Sequence, residues 1–353
     1  MGARGVRRGR RTLVVAGLLA LLLVAMVVAT AVGAVAVPVG DQLRILWQRV
    51  AGGPLALLGA ASPDEAAAMA TIVTQFRVPR VVTAALVGMI LAVSGTTMQG
   101  VFRNPLADPY LLGIAGGATA GVAAAIYLGW SAVPLVIPLA AFVGGLCAVA
   151  IVFGLAGRAR DGVALILAGV ALAALFAAVT ALFLFLAGER QRTGIVFWVM
   201  GGLAGGNWWS VQVLLPGAVV GSVVTWILGR ELNALALGDE QATHLGVNPV
   251  LIKRVLLLVA TLMTSVAVAM SGTIGFVGLV IPHVMRLLIG PEHRWLVVTS
   301  AVGGAAFLVL SDLAARSVVA PAEMPVGIVT AVVGGPFFLY LLRVRLVRPT
   351  SSG

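Results

Sequence analysis

The sequence predicts an all-α polytopic membrane protein of about ten transmembrane helices, with its N- and C-termini on the cytoplasmic side. Three observations carry this expectation. Of the 353 residues, 61% are hydrophobic and 10% are charged, whereas soluble domains carry about 25% charged residues. Uncharged apolar runs recur from Leu13 almost to the end, and at roughly 17 to 25 residues they match the length a helix needs to cross about 30 Å of hydrocarbon. Basic residues also fall unevenly about those runs. If the N-terminus is cytoplasmic, sixteen of the 23 Lys and Arg lie inside and seven outside, as the positive-inside rule requires. The net charge of +11 therefore reflects topology rather than a nucleic-acid surface, and no nucleic-acid partner is expected.

The expected spans are 13–37, 78–100, 110–129, 133–157, 163–187, 211–229, 250–270, 274–290, 295–314 and 325–342. They make one membrane domain over 13–343, between a basic cytoplasmic N-terminus (1–12) and a cytoplasmic tail (344–353). The Arg-rich start, its apolar run and Ala34-Val35-Ala36 have the outline of a cleaved signal, even a twin-arginine one. The apolar stretch exceeds a usual signal core, so a retained first helix is expected. Residues 38–76 read as an external loop with some amphipathic helix around the Gly52-Gly53-Pro54 turn signal.

Arg77 and Arg80 flank Pro79 at the expected external mouth of the second span, and Arg316 follows the ninth. Basic residues are disfavoured there, so these three ask for an anionic partner, either a lipid phosphate or an acidic docking protein. The stretch RNPLADPYLLG (103–113) then breaks the apolar pattern with Asn104-Pro105 and Asp108-Pro109. Proline removes a backbone donor, so this reads as a cytoplasmic helix reversal. Pro282, Pro291, Pro325 and Pro336 are expected at helix ends or kinks for the same reason. Between the sixth and seventh spans, residues 229–249 place Leu232, Leu235, Leu237, Ala242 and Leu245 at helical spacing, with Gly238 and Gly246 as stops. Two short cytoplasmic helices joined at a glycine are expected there. The stretches 94–113 and 271–290 share a Ser-Gly-Thr start, a central Pro and a Leu-rich end closing in Gly. An inverted repeat and a chance similarity of Gly-rich segments both fit.

Catalytic chemistry is thin. His244, His283 and His293 are scattered without Cys or carboxylates at ligand spacing, so neither metal nor cofactor is expected on this chain, and lone Cys147 has no intrachain disulfide partner. The one lysine, Lys253, lies outside any G-x-x-x-x-G-K-[ST]. The chain therefore supplies no P-loop of its own, and if ATP with its Mg drives anything here, another chain binds and hydrolyses it. The glycine clusters, among them Gly113, Gly116, Gly117, Gly272, Gly275 and Gly278, fit close helix packing or a pathway wall that moves.

Four stretches, 77–118, 231–247, 271–294 and 311–338, together with FWVMGGLAGGNWWSV (197–211), resemble the FecCD-type permease subunits of type II ATP-binding-cassette importers for iron-siderophore complexes, haem and cobalamin. The resemblance covers almost everything after residue 70. It implies the type II importer permease fold in a bacterial cytoplasmic membrane, in contact with membrane lipid. It also implies a homodimer, or a pair with a paralogous permease, around a twofold pathway, two cytoplasmic ATPase subunits and an extracytoplasmic binding protein. By similarity Arg77, Arg80 and Arg316 meet acidic residues of the binding protein. Asn104 and Leu106 close the cytoplasmic gate. Leu232, Asn233, Leu235, Leu237, Gly238, Ala242, Leu245 and Gly246 belong to the coupling helices (231–247) that engage the ATPase. Gly162 and Val163 stand where a small hydroxyl residue is expected, which puts a second gate layer there in doubt.

The expected function is ATP-driven, alternating-access import of an iron chelate, a ferric siderophore first and haem or cobalamin second. A secondary transporter would want ionisable groups near the bilayer midplane, yet Asp312 and Glu323 fall near the external surface. An intramembrane enzyme would need a nucleophile paired with a base, which the sequence does not offer.

Overall fold

The computed structural model describes residues 2–33, 37–51, 62–133, 135–156 and 162–347. In order the helices are α1 (Gly2–Ala31), α2 (Val39–Ala51), α3 (Pro63–Thr71), a π-helical turn (Ile72–Arg77), α4 (Val78–Val101), a 3-10 turn (Pro109–Leu112), α5 (Ile114–Tyr127), α6 (Val136–Ala156), α7 (Gly162–Leu186), α8 (Glu189–Val199), α9 (Trp208–Ile227), α10 (Gly229–Leu235), α11 (Asp239–His244), α12 (Pro249–Ser271), α13 (Val277–Ile289), α14 (His293–Ala315) and α15 (Val326–Val347). No strand occurs among the described residues. Seven helical stretches are long and apolar enough to cross a membrane, and α5, α13 and Val326–Leu341 are shorter apolar helices. Every expected span coincides with one of these.

The structure adjusts several boundaries. α1 stops at Ala31 rather than 37, and Ala34-Val35-Ala36, the Gly52-Gly53-Pro54 turn signal, Arg158, Arg160 and residues 348–353 of the tail lie outside the described residues. α15 carries the chain through Val347. The second span begins far earlier than expected, because α3, the π turn and α4 form one continuous stretch, Pro63–Val101. Ser62 opens it, its hydroxyl accepting from Glu65 N at 3.2 Å, with Asp64 and Glu65 favourably placed in the first turn. Pro79 does not break it: the π turn immediately before the proline adjusts the backbone where a regular α-helical bond would be lost. Arg77 and Arg80 therefore sit within a long helix, not at its mouth.

The core is built around α4 and α14, which pack along each other. At the crossing a Cβ on Gly88 would collide with the Gly304 carbonyl, and one on Gly304 with the Gly88 carbonyl. Side-chain-free positions let the two backbones touch. α1 lies against α14, α9 and α12 against α4, and α5 pairs with α6 and α7. Val87, Ile90, Leu91, Leu214, Met263 and Leu308 belong to the largest apolar cluster.

Two helices are too short to span hydrocarbon alone. α5 has 14 residues and α13 has 13, or about 20 Å of rise each, against the longer spans expected at 110–129 and 274–290. Each is preceded by a break in the α-helical backbone: residues 103–108 and the 3-10 turn before α5, and residues 272–276 before α13. Such backbone is tolerated within a bundle only where protein buries and satisfies it. Here the two breaks satisfy each other. The Tyr110 hydroxyl donates to Ile274 O at 3.0 Å and accepts from Ile274 N at 3.1 Å. Gly278 meanwhile packs under Pro109 and Leu91.

The echo between 94–113 and 271–290 has no structural counterpart at that register. Ser94-Gly95-Thr96 is buried inside α4, whereas Ser271-Gly272-Thr273 is the end of α12 and the break after it. α8 is an element the periodicity did not suggest. Its Gln191 accepts from Gly188 N at 3.2 Å and donates to Ile126 O and Tyr127 O at 3.1 and 3.0 Å, closing the end of α5.

Because the Gly88–Gly304 contact is backbone to backbone, Gly88→Leu is expected to force α4 and α14 apart and to destabilise the fold by about 1–3 kcal/mol. Thermal unfolding in detergent measures this, with the exposed Gly154, whose added Cβ meets nothing within 4 Å, substituted by Leu as the neutral control.

Candidate functional site

Three groups of residues carry the candidate chemistry, at two ends of the bundle. The reversal and the 229–249 island lie at the end where α1 begins. The three arginines lie at the other end.

The reversal opens where α4 ends at Val101. Arg103 turns the chain with a left-handed φ of 51°. Asn104 then organises the turn: its N–H donates to Gln99 O at 3.2 Å, its carbonyl accepts from Ala107 N at 3.0 Å, and its Oδ1 accepts from Leu106 N at 3.0 Å. Asp108 caps the next turn, accepting from Tyr110 N at 2.8 Å. These side-chain bonds replace the helical ones that Pro105 and Pro109 cannot make. Asn104 is exposed and Leu106 half-buried, so the tip can meet another surface. Beside it opens a cavity of about 890 Å³, lined by Arg103, Asn104, Phe153, Val163, Lys253 and Arg254 among others.

The island folds as expected, α10 and α11 meeting at Gly238 with φ +114°. Its faces divide sharply. Leu232, Leu235 and Ala242 are buried in the chain's own core, while Leu237 and Leu245 are 66% and 63% exposed. Only the last two can present apolar surface to a partner. Asn233 faces inward as well: its Oδ1 accepts from His293 N at 3.0 Å and lies 2.7 Å from His293 Nδ1. Asp239 ties the island to the reversal, 2.5 Å from Lys253 Nζ and 3.6 Å from Arg103. Arg103 is thus more than a charge at the membrane surface; it links the reversal to the island.

At the opposite end the chain itself supplies anions and acceptors to all three arginines. Arg77 donates to Thr30 O and Ala31 O, both at 3.0 Å. Arg316 donates to Val32 O at 2.8 Å and to Ala29 O. Together they satisfy the carbonyls left without intrahelical partners where α1 ends, the negative pole of its dipole. Arg80 is held at 2.9 Å by Asp312 and at 2.9 Å by Glu323. Burial pulls the Arg316 guanidinium below its ordinary value, and the Asp312 carboxylate, 3.4 Å away, opposes that shift. Asp312 is 2% exposed and Glu323 is 46% exposed, so Glu323 marks the part of the cluster that solvent or a partner reaches. The sequence puts both acids near this surface, but their pairing with Arg80, 232 and 243 residues away, leaves no local signal in it.

Residues 21–344 match the FecCD transport family. The chain is 44% identical over 324 residues to the cobalamin import system permease protein of Halobacterium salinarum, covering 89% of this chain and 87% of that one. It is 44% identical over 284 residues to the hemin transport system permease protein of Yersinia pestis, covering 78% and 84% respectively. Among solved structures, one described as an inward-facing conformation of a transporter assigned to the metal-chelate ABC type superposes with a TM-score of 0.79 at 31% identity, covering 93% of this chain and 98% of that one.

Removing Arg80 leaves the buried Asp312 with Arg316 alone, so Arg80→Ala is expected to cost about 3 kcal/mol of stability. In a thermal-unfolding cycle with Asp312→Asn, the double variant should lose clearly less than the sum of the singles; strict additivity would show that the pair does not interact.

Proposed function

The chain belongs to the FecCD transport family, and we propose that it is the membrane permease of an ATP-driven type II importer for a metal chelate. In this reading the chain crosses a bacterial membrane ten times with both termini in the cytoplasm, so that the reversal and the 229–249 island are cytoplasmic and the arginine cluster is extracytoplasmic. Two copies, or one copy and a paralogue, enclose the pathway. Two cytoplasmic ATPase subunits drive it and a binding protein delivers the cargo. The observation that carries this reading is a family match over residues 21–344 on a chain whose island exposes Leu237 and Leu245 beside a reversal tipped by Asn104 and Leu106.

The island would seat Leu237 and Leu245 in a groove of the ATPase, with Leu232, Leu235, Asn233 and Ala242 holding it to the permease. Asn104 and Leu106 would meet their twofold mates to close the inner gate. Arg77, Arg80 and Arg316 would form the docking face for acidic residues of the binding protein. Within that face Arg80, at the exposed Glu323, is the arginine placed to engage a partner, while Arg77 and Arg316 keep the end of α1 in position. ATP binding on the partner would move the island and exchange inward- and outward-open states.

The cargo we favour is a ferric siderophore. The cobalamin and hemin permeases at 44% identity support the second reading, haem or cobalamin. Uptake of labelled siderophore, haem and cobalamin by a strain lacking only this chain separates them: loss of one cargo, with uptake in the wild type surviving collapse of the proton gradient while ATP is maintained, is the expected result. Uptake abolished by the uncoupler with ATP intact would instead identify ion-coupled transport.

The island's two faces should respond differently to charge. Leu237→Glu is expected to release the ATPase subunits on co-purification while the permease keeps its melting temperature. Ala242→Glu buries a charge and should lower the folded yield itself.

A further inference from the structure

α14 lacks a cap of its own. The residue before it, Glu292, makes no side-chain capping bond, so the first N–H groups of the helix need partners from elsewhere. Asn233 of α10 supplies one, its Oδ1 accepting from the His293 backbone N–H at 3.0 Å. The same oxygen lies 2.7 Å from His293 Nδ1. A carbonyl oxygen only accepts, so Nδ1 carries the proton. One oxygen on the island thus holds both the backbone and the side chain of α14's first residue, and His293 is buried.

The joint has a third member. Gly100 lies in the last turn of α4, and a Cβ there would stand 2.8 Å from Leu232 Cδ2 and 2.9 Å from His293 Nε2. Leu232 and Asn233 of the island, His293 of α14 and Gly100 of α4 are therefore packed as one unit. Four residues after Gly100 comes Asn104, whose N–H is anchored to Gln99 O. Arg294 next to His293 reinforces the unit, stacking over Trp226 at 4.9 Å. From this joint α14 runs 23 residues, about 34 Å, to Asp312 and Arg316 at the opposite end, packed on α4 all along.

We infer that His293, held by Asn233, is the positioning residue through which movement of the island reaches the α4–α14 pair and the Asn104 turn. A displacement of the island pulls on the cap of α14 rather than on a sliding apolar surface, so island and gate move together. This rests on reading the island as the ATPase-contacting element, and the inference concerns what lies behind that contact.

The test uses the full complex with its ATPase subunits. Cys147→Ser removes the chain's one cysteine, and Leu106→Cys then reports the gate by its rate of reaction with a water-soluble maleimide, measured without nucleotide and in the vanadate-trapped state. The two rates should differ by about fivefold or more. Adding His293→Leu, which deletes the Nδ1–H donor, should bring them within about twofold of each other while the ATPase subunits stay bound and still hydrolyse ATP. His293→Asn, which restores an N–H at the same position, should bring the difference back. A purely structural histidine would lower the melting temperature and leave the nucleotide-dependent difference intact, and that result overturns the inference. Leu237→Glu separates the two levels. If it leaves the ATPase bound, the island reading fails and the inference falls with it; if it releases the ATPase while His293→Leu leaves gate labelling responsive, only the inference fails.

Discussion

The contact between α4 and α14 at Gly88 and Gly304 is the constraint on which the rest of the structure depends. With no side chain on either helix, the backbones meet directly, and the long helices are held in a fixed register. That register decides which residues face one another at both ends. At one end it brings Arg80 to Asp312; at the other it brings Gly100 against His293. A larger residue at the crossing would separate both pairs at once, because the two ends share one rigid axis.

The second constraint is the satisfaction of backbone groups away from water. A chain this apolar has few polar side chains to spend, yet it breaks its helices at 102–113 and 272–276. The structure resolves this by pairing the breaks, with the Tyr110 hydroxyl donating to and accepting from the same residue, Ile274. The same economy recurs elsewhere. Arg77 and Arg316 close the end of α1, Gln191 closes the end of α5, and Asn233 opens α14. Ser62, Asn207 and Asn248 cap their own helices, but these three ends are held by side chains from other helices, which ties secondary structure to tertiary arrangement and makes each such contact a mechanical link.

Charges follow that logic. Arginines at an unfavoured end of the bundle suggested, from sequence, groups waiting for a partner. The structure shows them already engaged, Arg77 on carbonyls, Arg80 on carboxylates and Arg316 on both, with Glu323 as the exposed member. A docking partner at this face would therefore exchange an existing contact for a new one, which favours specificity over raw affinity. At the other end Asp239 bridges Arg103 and Lys253, so the island and the reversal are joined by charge as well as by packing.

The sequence by itself determined the all-helical class, the order and approximate place of the apolar helices, the reversal at Asn104-Pro105 and Asp108-Pro109, and the two short helices meeting at Gly238. These are local properties: apolar length, proline's missing donor and helical spacing are all written within a few residues. Its motifs also pointed to the family. Only the tertiary structure decided that α5 and α13 are short, that Arg77 lies inside a long helix, that Leu237 and Leu245 face outward while Leu232, Leu235 and Ala242 face inward, and that Asn233 caps α14. Each of these depends on residues from distant parts of the chain, such as Asn233 and His293, 60 positions apart. Periodicity along one helix cannot register such contacts, because the partner that satisfies a helix end or covers a face is chosen by packing.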